Sequence, residues 1–134
     1  MKLNDTIIEF KNVKESESGY VSYLYFIKNL QGDEIGSCAL RVFDPESEKI
    51  NVLGNIGYEI DPEHRGRGHA KNAAKMLLSE ARALGLSNAL ICCDADNLPS
   101  VAVCRAIGAE KAFEFEKNGK TALAFLKNLE GIEK

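Results

Sequence analysis

The chain has 134 residues, of which 45% are apolar and 28% charged, and its formal net charge is −3. This length suits one domain with one core, so we expect residues 1–134 to form a single domain. No apolar run reaches the roughly 18 residues of a membrane span, and the first residues lack the apolar stretch of a secretory signal. We therefore expect a cytoplasmic protein that does not bind membranes. The mild acidity disfavours nucleic acid as a partner, because such partners need a basic face.

Four cysteines and two histidines limit the metal and redox chemistry of the chain. The cysteines, Cys38, Cys92, Cys93 and Cys104, show no CxxC spacing, and two histidines do not make a zinc site, so we expect no metal. A reduced cysteine behaves as a small apolar residue. We expect this of Cys38 and Cys93 in particular.

The first half of the chain is predicted to form four strands. Segments rich in β-branched and aromatic residues are separated by polar turns, and they span residues 6–13, 20–27, 34–43 and 55–60. Gly36 predicts a bulge in the third strand. The six residues KESESG between the first two strands suffice for a hairpin but not for a helix.

The second half predicts two helices and three strands. Apolar residues recur at helical spacing over residues 70–84, and Gly85 follows as a stop signal. Residues 88–94 form a short, nearly continuous apolar strand, and a second helix begins at Asn97 and ends at Gly108. A hairpin turns at Asn118-Gly119. The order is β-β-β-β-α-β-α-β-β, a mixed α/β domain with antiparallel meanders at both ends and one parallel crossover in the middle.

The loop Arg65-Gly66-Arg67-Gly68 lies between the fourth strand and the first helix. A helix start offers free N–H groups and partial positive charge, and glycine lets the backbone approach a ligand closely. Two arginines in an acidic chain add to this, so the loop predicts a site for phosphate or diphosphate. The chain has no GxxxxGK[ST] string, and its glycine pattern lacks the third glycine of a dinucleotide fingerprint.

Two segments resemble the GNAT N-acetyltransferases. Arg65-Gly66-Arg67-Gly68-His69-Ala70 matches the R-x-x-G-x-G/A motif of that family, within NIGYEIDPEHRGRGHA. CCDADNLPSVAVCRAIGA is similar to the family segment that holds N-x-x-S and a helix ending before a glycine. The resemblance covers roughly residues 34–126 and implies a GNAT-like fold of a short variant, without the usual helices between the first two strands.

The resemblance implies acetyl-CoA as co-substrate and an amine as acceptor. In the family, loop N–H groups hold the CoA pyrophosphate, which assigns Arg65, Gly66, Arg67, Gly68, His69 and Ala70 to cofactor binding. The fourth and fifth strands splay apart, and the pantetheine arm pairs with the fourth, here at Tyr58, Glu59 and Ile60. Asn97 and Ser100 would lie near this arm. Asn97 has N-capping as an alternative role.

The sequence departs from the family at two chemical positions. A tyrosine acts as general acid in many members, and that position is Cys104 here. A glutamate base in some members, including the ribosomal-protein-alanine acetyltransferases, corresponds to Cys92. We name Glu59 and Cys104 as catalytic candidates, with solvent exposure as the alternative for Glu59 and inert packing as the alternative for Cys104.

Three functions remain open from the sequence. The first is N-acetyl transfer from acetyl-CoA to a primary amine by direct attack, the second a non-enzymatic acyl-CoA-binding module, and the third a nucleotide-binding interaction domain. On the acceptor side, the missing helices would leave Val21, Tyr23, Tyr25 and Ile27 exposed. This predicts either a homodimer, whose partner covers these residues, or an open cleft that accepts a bulky substrate such as a protein terminus, and we favour the dimer.

Overall fold

A computed structural model describes residues 1–133. It contains eight strands and three helices within that range, with a 3₁₀ turn at Pro62–His64. The strands are β1 (Lys2–Leu3), β2 (Thr6–Ser16), β3 (Tyr20–Lys28), β4 (Glu34–Phe43), β5 (Ile56–Ile60), β6 (Asn88–Asp94), β7 (Glu110–Lys117) and β8 (Lys120–Asn128). The helices are α1 (Ile50–Leu53), α2 (His69–Ala83) and α3 (Leu98–Ala106). The predicted order is confirmed, and the additions to it are the two-residue β1, the four-residue α1 and the 3₁₀ turn.

The strands form two sheets. β1 to β5 make a five-stranded antiparallel sheet in sequence order, and the second sheet has the order β6-β8-β7. The predicted turn between β7 and β8 is confirmed, with positive φ at both Asn118 and Gly119. The prediction of a parallel strand pair around α2 is wrong, because every strand pair among the described residues is antiparallel and β5 and β6 share no ladder.

The two sheets meet at one end through Asn55. Its backbone N–H donates to the Leu90 carbonyl at 2.6 Å, and its side-chain oxygen accepts from the Leu90 N–H at 2.8 Å. Its amide nitrogen donates to the Arg41 carbonyl on β4 at 3.0 Å. Beyond this junction β5 and β6 share no ladder, and we call the space between these two strands the cleft.

Helix α2 packs on one face of the five-stranded sheet and forms the core with it. Its alanine and leucine stripe meets buried side chains that include Ile8, Ile27, Leu40 and Ile56. The α3 helix contributes Cys104 and, just beyond its end, Ile107 to the same core. The core therefore lies on the side of β5 that carries Ile56 and Ile60.

The predicted exposure of one face of β3 is wrong in part. Ile27 is completely buried, and Tyr23 and Tyr25 pack against the core, because this face of the sheet meets α2. The residues opposite them on β2, Phe10 and Val13, are 55% and 46% exposed. The face without a covering helix carries the alternate residues of β3.

Gly36 has a structural role beside the predicted bulge. The register between β3 and β4 shifts from Ile27↔Gly36 to Lys28↔Glu34, which leaves Ile35 unpaired and confirms an irregularity at this place. A Cβ atom on Gly36 would also collide with the backbone carbonyl of Glu59. Only glycine therefore permits this close pairing of β4 with the end of β5.

Candidate functional site

The cleft between the sheets has a free strand edge on its β5 side. The Arg41 N–H donates to the Asn55 carbonyl, and the Asp61 N–H donates to the Ile35 carbonyl, so the odd-numbered residues of β5 pair with β4. In an antiparallel pair the intervening residues direct their backbone groups to the other side. The N–H and C=O of Tyr58 and the N–H of Ile60 therefore face the cleft, where an extended ligand could pair with them.

The glycine–arginine loop lies where β5 ends and α2 begins. Gly66 and Gly68 have φ of +79° and +84°, in the left-handed region that other residues rarely adopt. Gly68 is the N-cap of α2, so no side chain caps the helix. The N–H groups of His69 and Ala70 thus belong to an uncapped helix start, which is an arrangement that binds anions.

Four cations lie within this loop or in the first two turns of α2. Arg65 donates through Nε to the Ile60 carbonyl at 2.7 Å, so it fixes the loop to the end of β5 while its terminal nitrogens remain outside that bond. Arg67 is exposed, and Lys71 and Lys75 follow on α2. Among the described residues none of these four cations forms an ion pair.

The side chain of His69 points away from the loop. It is 5% exposed, and its Nδ1 lies 2.7 Å from the Thr6 hydroxyl at the start of β2. Asn72 donates to the same hydroxyl at 3.1 Å. His69 therefore anchors α2 to the N-terminal hairpin, and only its backbone N–H is available at the loop.

A group of hydroxyls and thiols lies inside the cleft, on the core side of β5. The Tyr58 hydroxyl is 2.8 Å from the hydroxyl of Ser100 in the first turn of α3. Cys104, one helical turn further, is fully buried, and it is a neighbour of both Tyr58 and Cys93. We call these four residues, Tyr58, Cys93, Ser100 and Cys104, the hydroxyl–thiol cluster.

The pKa values of the groups in this cluster are shifted in different directions. A hydrogen bond from the Cys104 thiol lowers the pKa of Cys93, while burial acts in the opposite direction. The same bond, with burial, raises the pKa of Cys104 far above the ordinary value. Burial likewise raises the pKa of Tyr58. At neutral pH Tyr58 and Cys104 therefore carry protons, and Cys93 is the thiol in this cluster that ionises most readily.

Asn97 occupies the N-cap of α3. Its side-chain oxygen accepts from the Ser100 N–H at 3.3 Å, which is the capping role considered as its alternative. The side chain is exposed near the mouth of the cleft. This bond orients the first turn of α3, and thereby helps to position Ser100 against Tyr58.

The opposite face of β5 borders an open groove of about 470 Å³. Because side chains alternate along a strand, Gly57 and Glu59 face this groove while Tyr58 points to the core side. The groove lining includes Lys11, Phe26, Glu34, Arg41, Glu59 and Asp61. We call this cavity the sheet-face groove.

Arg41 crosses the floor of the sheet-face groove. Its Nη1 donates to the carbonyls of Leu53 and Gly54 at 3.2 and 3.4 Å. A methyl group on Gly57 would lie 2.9 Å from Nη2, so the guanidinium rests on the bare backbone of β5. Burial lowers the pKa of Arg41.

Cys92 lies on the Arg41 side of β6. Burial raises the pKa of the Cys92 thiol to about 11, so it stays protonated at neutral pH. Its sulfur is 3.9 Å from the Asn51 carbonyl. The position that holds a glutamate base in some GNAT members is therefore neutral here.

The comparisons with known proteins agree with this geometry. The sequence profile of the Acetyltransferase (GNAT) domain matches residues 2–110. None of the described helices is long and apolar enough to cross a bilayer. The chain belongs to the GNAT acetyltransferase domain family.

Solved structures similar to this chain are GNAT acetyltransferases. A ribosomal-protein-S5-alanine acetyltransferase from Vibrio fischeri is 17% identical, with a TM-score of 0.67 over 84% of this chain and 64% of its own. The microcin C7 self-immunity acetyltransferase MccE, in complex with acetyl-CoA and AMP, is 23% identical, with a TM-score of 0.65 over 80% and 61%. RimL, the ribosomal L7/L12 α-N-protein acetyltransferase, in complex with coenzyme A, is 23% identical, with a TM-score of 0.65 over 80% and 62%.

At these sequence identities, the similarity to the solved structures shows a shared fold only. The chain spans less than two thirds of the length of these three structures. No protein of curated function matches the sequence significantly.

The sequence did not predict the roles of three side chains at the site. Cys93 was expected to be buried, but it is half-buried beside Tyr58. The sequence indicated a role only for the backbone of Tyr58, and it gave no signal for Arg41. The alternation of Tyr58 with Gly57 and Glu59 could have separated the two faces of β5. The partners of these groups, however, come from distant strands.

Proposed function

We propose that this protein transfers an acetyl group from acetyl-CoA to a primary amine. The observation that carries the proposal is the uncapped start of α2, with left-handed Gly66 and Gly68, at the open end of a cleft whose β5 edge is free. The helix start suits a pyrophosphate, and the edge suits the amide groups of a pantetheine arm. The residues of the chain therefore fit both parts of CoA.

In the proposed reaction, the amine nitrogen bonds to the acetyl carbon as the carbon–sulfur bond breaks. The amine loses a proton and the CoA sulfur gains one. The chain must therefore supply a group that polarises the carbonyl, a base and an acid. The N–H of Ile60, which faces the cleft, is our candidate for polarising the carbonyl.

Glu59 is our candidate base. It is exposed on the sheet-face groove, one residue from the free backbone groups of Tyr58 and Ile60. An ionised carboxylate at this point can accept a proton from the incoming ammonium, directly or through water. Asp61 and Glu34 line the same groove and would attract a cationic amine.

Tyr58 is a better candidate for the acid than Cys104. Cys104 is fully buried, whereas Tyr58 is half-buried and its hydroxyl lies 2.8 Å from that of Ser100. In the family the general acid is a tyrosine at the Cys104 position. Here the Tyr58 hydroxyl, which comes from β5 and neighbours Cys104, is placed to protonate the same leaving thiolate.

A non-enzymatic acyl-CoA-binding module remains the second candidate. The observation that favours it is the replacement of both usual chemical positions by protonated thiols, Cys92 and Cys104. A thiol-release assay with acetyl-CoA and a panel of primary amines separates the two. Amine-dependent release of CoA supports the enzyme. Tight acetyl-CoA binding by calorimetry without release for any amine supports the module, and weaker binding of CoA than of ATP contradicts both.

A further inference from the structure

Arg41 carries a charge for which the chain offers no counter-ion. The guanidinium is half-buried, and no carboxylate within the described residues forms an ion pair with it. The titratable side chains that influence it are the phenol of Tyr20 and the thiol of Cys92, and neither is a carboxylate. A partly desolvated charge without a counter-ion favours the binding of an arriving anion.

Backbone bonds use only part of the Arg41 guanidinium. Both recorded bonds leave from Nη1, to the carbonyls of Leu53 and Gly54. These bonds hold the plane of the group against Gly57. Among residues 1–133 the Nη2 and Nε donors form no hydrogen bond, and a fixed guanidinium with free donors is suited to a carboxylate.

The charges of the sheet-face groove are separated along β5. Glu59 and Asp61 lie toward the end of the strand, and Arg41 rests on Gly57, two residues before Glu59. Two residues of a strand span about 6.6 Å. Along β5 the groove therefore has an acidic part for an ammonium and a basic part for an anion, separated by the length of a small molecule. The other cation of the lining, Lys11, lies over the Phe26 ring.

We propose that the acceptor is a small amine that also carries a carboxylate, with its amine beside Glu59 and its carboxylate on Arg41. This rests on the proposed acetyl transfer and names its substrate class. Diamines and polyamines satisfy the acidic part of the groove but would bring a positive group toward Arg41. The groove therefore selects an amino acid over the corresponding decarboxylated amine.

The test compares matched pairs of acceptors. Lysine and cadaverine, and ornithine and putrescine, differ only in the carboxylate. We expect kcat/KM for the wild-type protein to favour the amino acid by at least about tenfold, the scale of one charge-assisted contact. Arg41→Gln should abolish this preference and leave the KM for acetyl-CoA unchanged.

Two further variants separate recognition from folding. Gly57→Ala keeps Arg41 but puts a methyl group where the guanidinium rests, so it should also reduce the preference. Lys14→Gln removes a charge on the same face of the sheet, two strands away from Arg41. Lys14 lies opposite Ser22, and Ser22 lies opposite Arg41. This control should keep the preference for amino acids. If the overall positive charge of this face caused the preference, removing the charge of Lys14 would weaken it as well.

Binding measurements distinguish failure of this inference from failure of the proposed activity. Calorimetric titration of lysine and of cadaverine into the protein with CoA present tests the groove without turnover. Tighter binding of lysine that is lost in Arg41→Gln supports the inference even if no amine is acetylated. Equal or tighter binding and turnover of cadaverine, or a preference that Arg41→Gln does not change, would overturn it.

Discussion

The hydroxyl of Tyr58 lies 2.8 Å from that of Ser100, and this contact joins the open edge of β5 to the first turn of α3. Both residues belong to elements that enclose the cleft from opposite sides. The contact therefore fixes a proton-bearing group inside the cleft. It also explains how the family position now held by Cys104 can lack a tyrosine while a phenol hydroxyl remains nearby.

We expect Tyr58→Phe to lower kcat by about 10²-fold or more, the usual contribution of a general acid. The ring remains to fill the core, so the affinity for acetyl-CoA should change little. Steady-state kinetics with calorimetry separates the two effects. Cys104→Ala provides the comparison, since a buried thiol behind Tyr58 should affect kcat much less. The reverse ranking of the two variants would assign the acid to Cys104.

Much of the fold could be predicted because its signals are local. The apolar periodicity of α2, the Asn97 cap of α3 and the Asn118-Gly119 turn each depend on neighbouring residues, and each is confirmed. Helix α1 was missed because four residues with no side-chain cap give no periodic signal. The cleft was predicted only from the resemblance to the GNAT family, because local sequence patterns do not encode it.

The two faces of β3 could not be distinguished from sequence. Tyr23, Leu24, Tyr25, Phe26 and Ile27 are all apolar or aromatic, so alternation does not indicate which face meets α2. The same limit hid Arg41 and Cys93, because their surroundings depend on how distant strands are paired. His69 was assigned by its place in the loop, and its burial against Thr6 depends on the N-terminal hairpin.

We expect Gly68→Val to weaken acetyl-CoA binding by at least tenfold, because a side chain strains the left-handed backbone and blocks close approach to the helix start. Gly85→Val is the matched control. Gly85 lies beyond the other end of α2, also has positive φ (+94°), and likewise has nothing within 4 Å of where a Cβ atom would be. Calorimetry should show weakened binding only in Gly68→Val. A similar loss in both variants would indicate general damage to α2.

Arg65→Ala should weaken acetyl-CoA binding by about 1–3 kcal/mol, the range of a charge-assisted hydrogen bond. Part of this loss would come from the Ile60 carbonyl, which Arg65 Nε holds at 2.7 Å. Arg65→Lys keeps the charge and should restore only part of the affinity. Calorimetry at low and high salt checks this, because the charge-dependent share should shrink with salt. Unchanged affinity in Arg65→Ala would remove Arg65 from the site.

Alkylation should identify Cys93 as the most reactive thiol. Its pKa is lowered, so its thiolate forms below the pH of an ordinary thiol, about 8.5. Burial raises the pKa of Cys92 to about 11 and that of Cys38 to about 12, so both should react slowly at pH 7.5. The rate with iodoacetamide should rise with pH and level off below pH 8.5. Peptide mapping checks the site, and Cys93→Ser should remove the fast phase.

A separate experiment tests the role of Cys104. Its raised pKa and complete burial disfavour a covalent acetyl carrier. Intact-protein mass after mixing with acetyl-CoA should therefore show no stable acetyl addition at Cys104. A stoichiometric adduct mapped there would instead require a two-step reaction. Protection of Cys93 by CoA is expected as well, since the half-buried thiol lies in the cleft.

We retain the homodimer as a prediction, with a changed contact surface. Phe10 and Val13 on β2 are exposed beside Tyr23 and Tyr25, and Phe10 makes an edge-on contact with Tyr25 at 5.7 Å between ring centroids. Such an aromatic patch on a lone domain is a candidate contact with a second copy. Light scattering should give twice the chain mass at micromolar concentration, and Phe10→Lys should reduce it to the monomer. Leu126→Lys, a residue 41% exposed on β8, is the control and should remain dimeric. A wild-type monomer at high concentration would overturn the dimer and leave this patch free for other contacts.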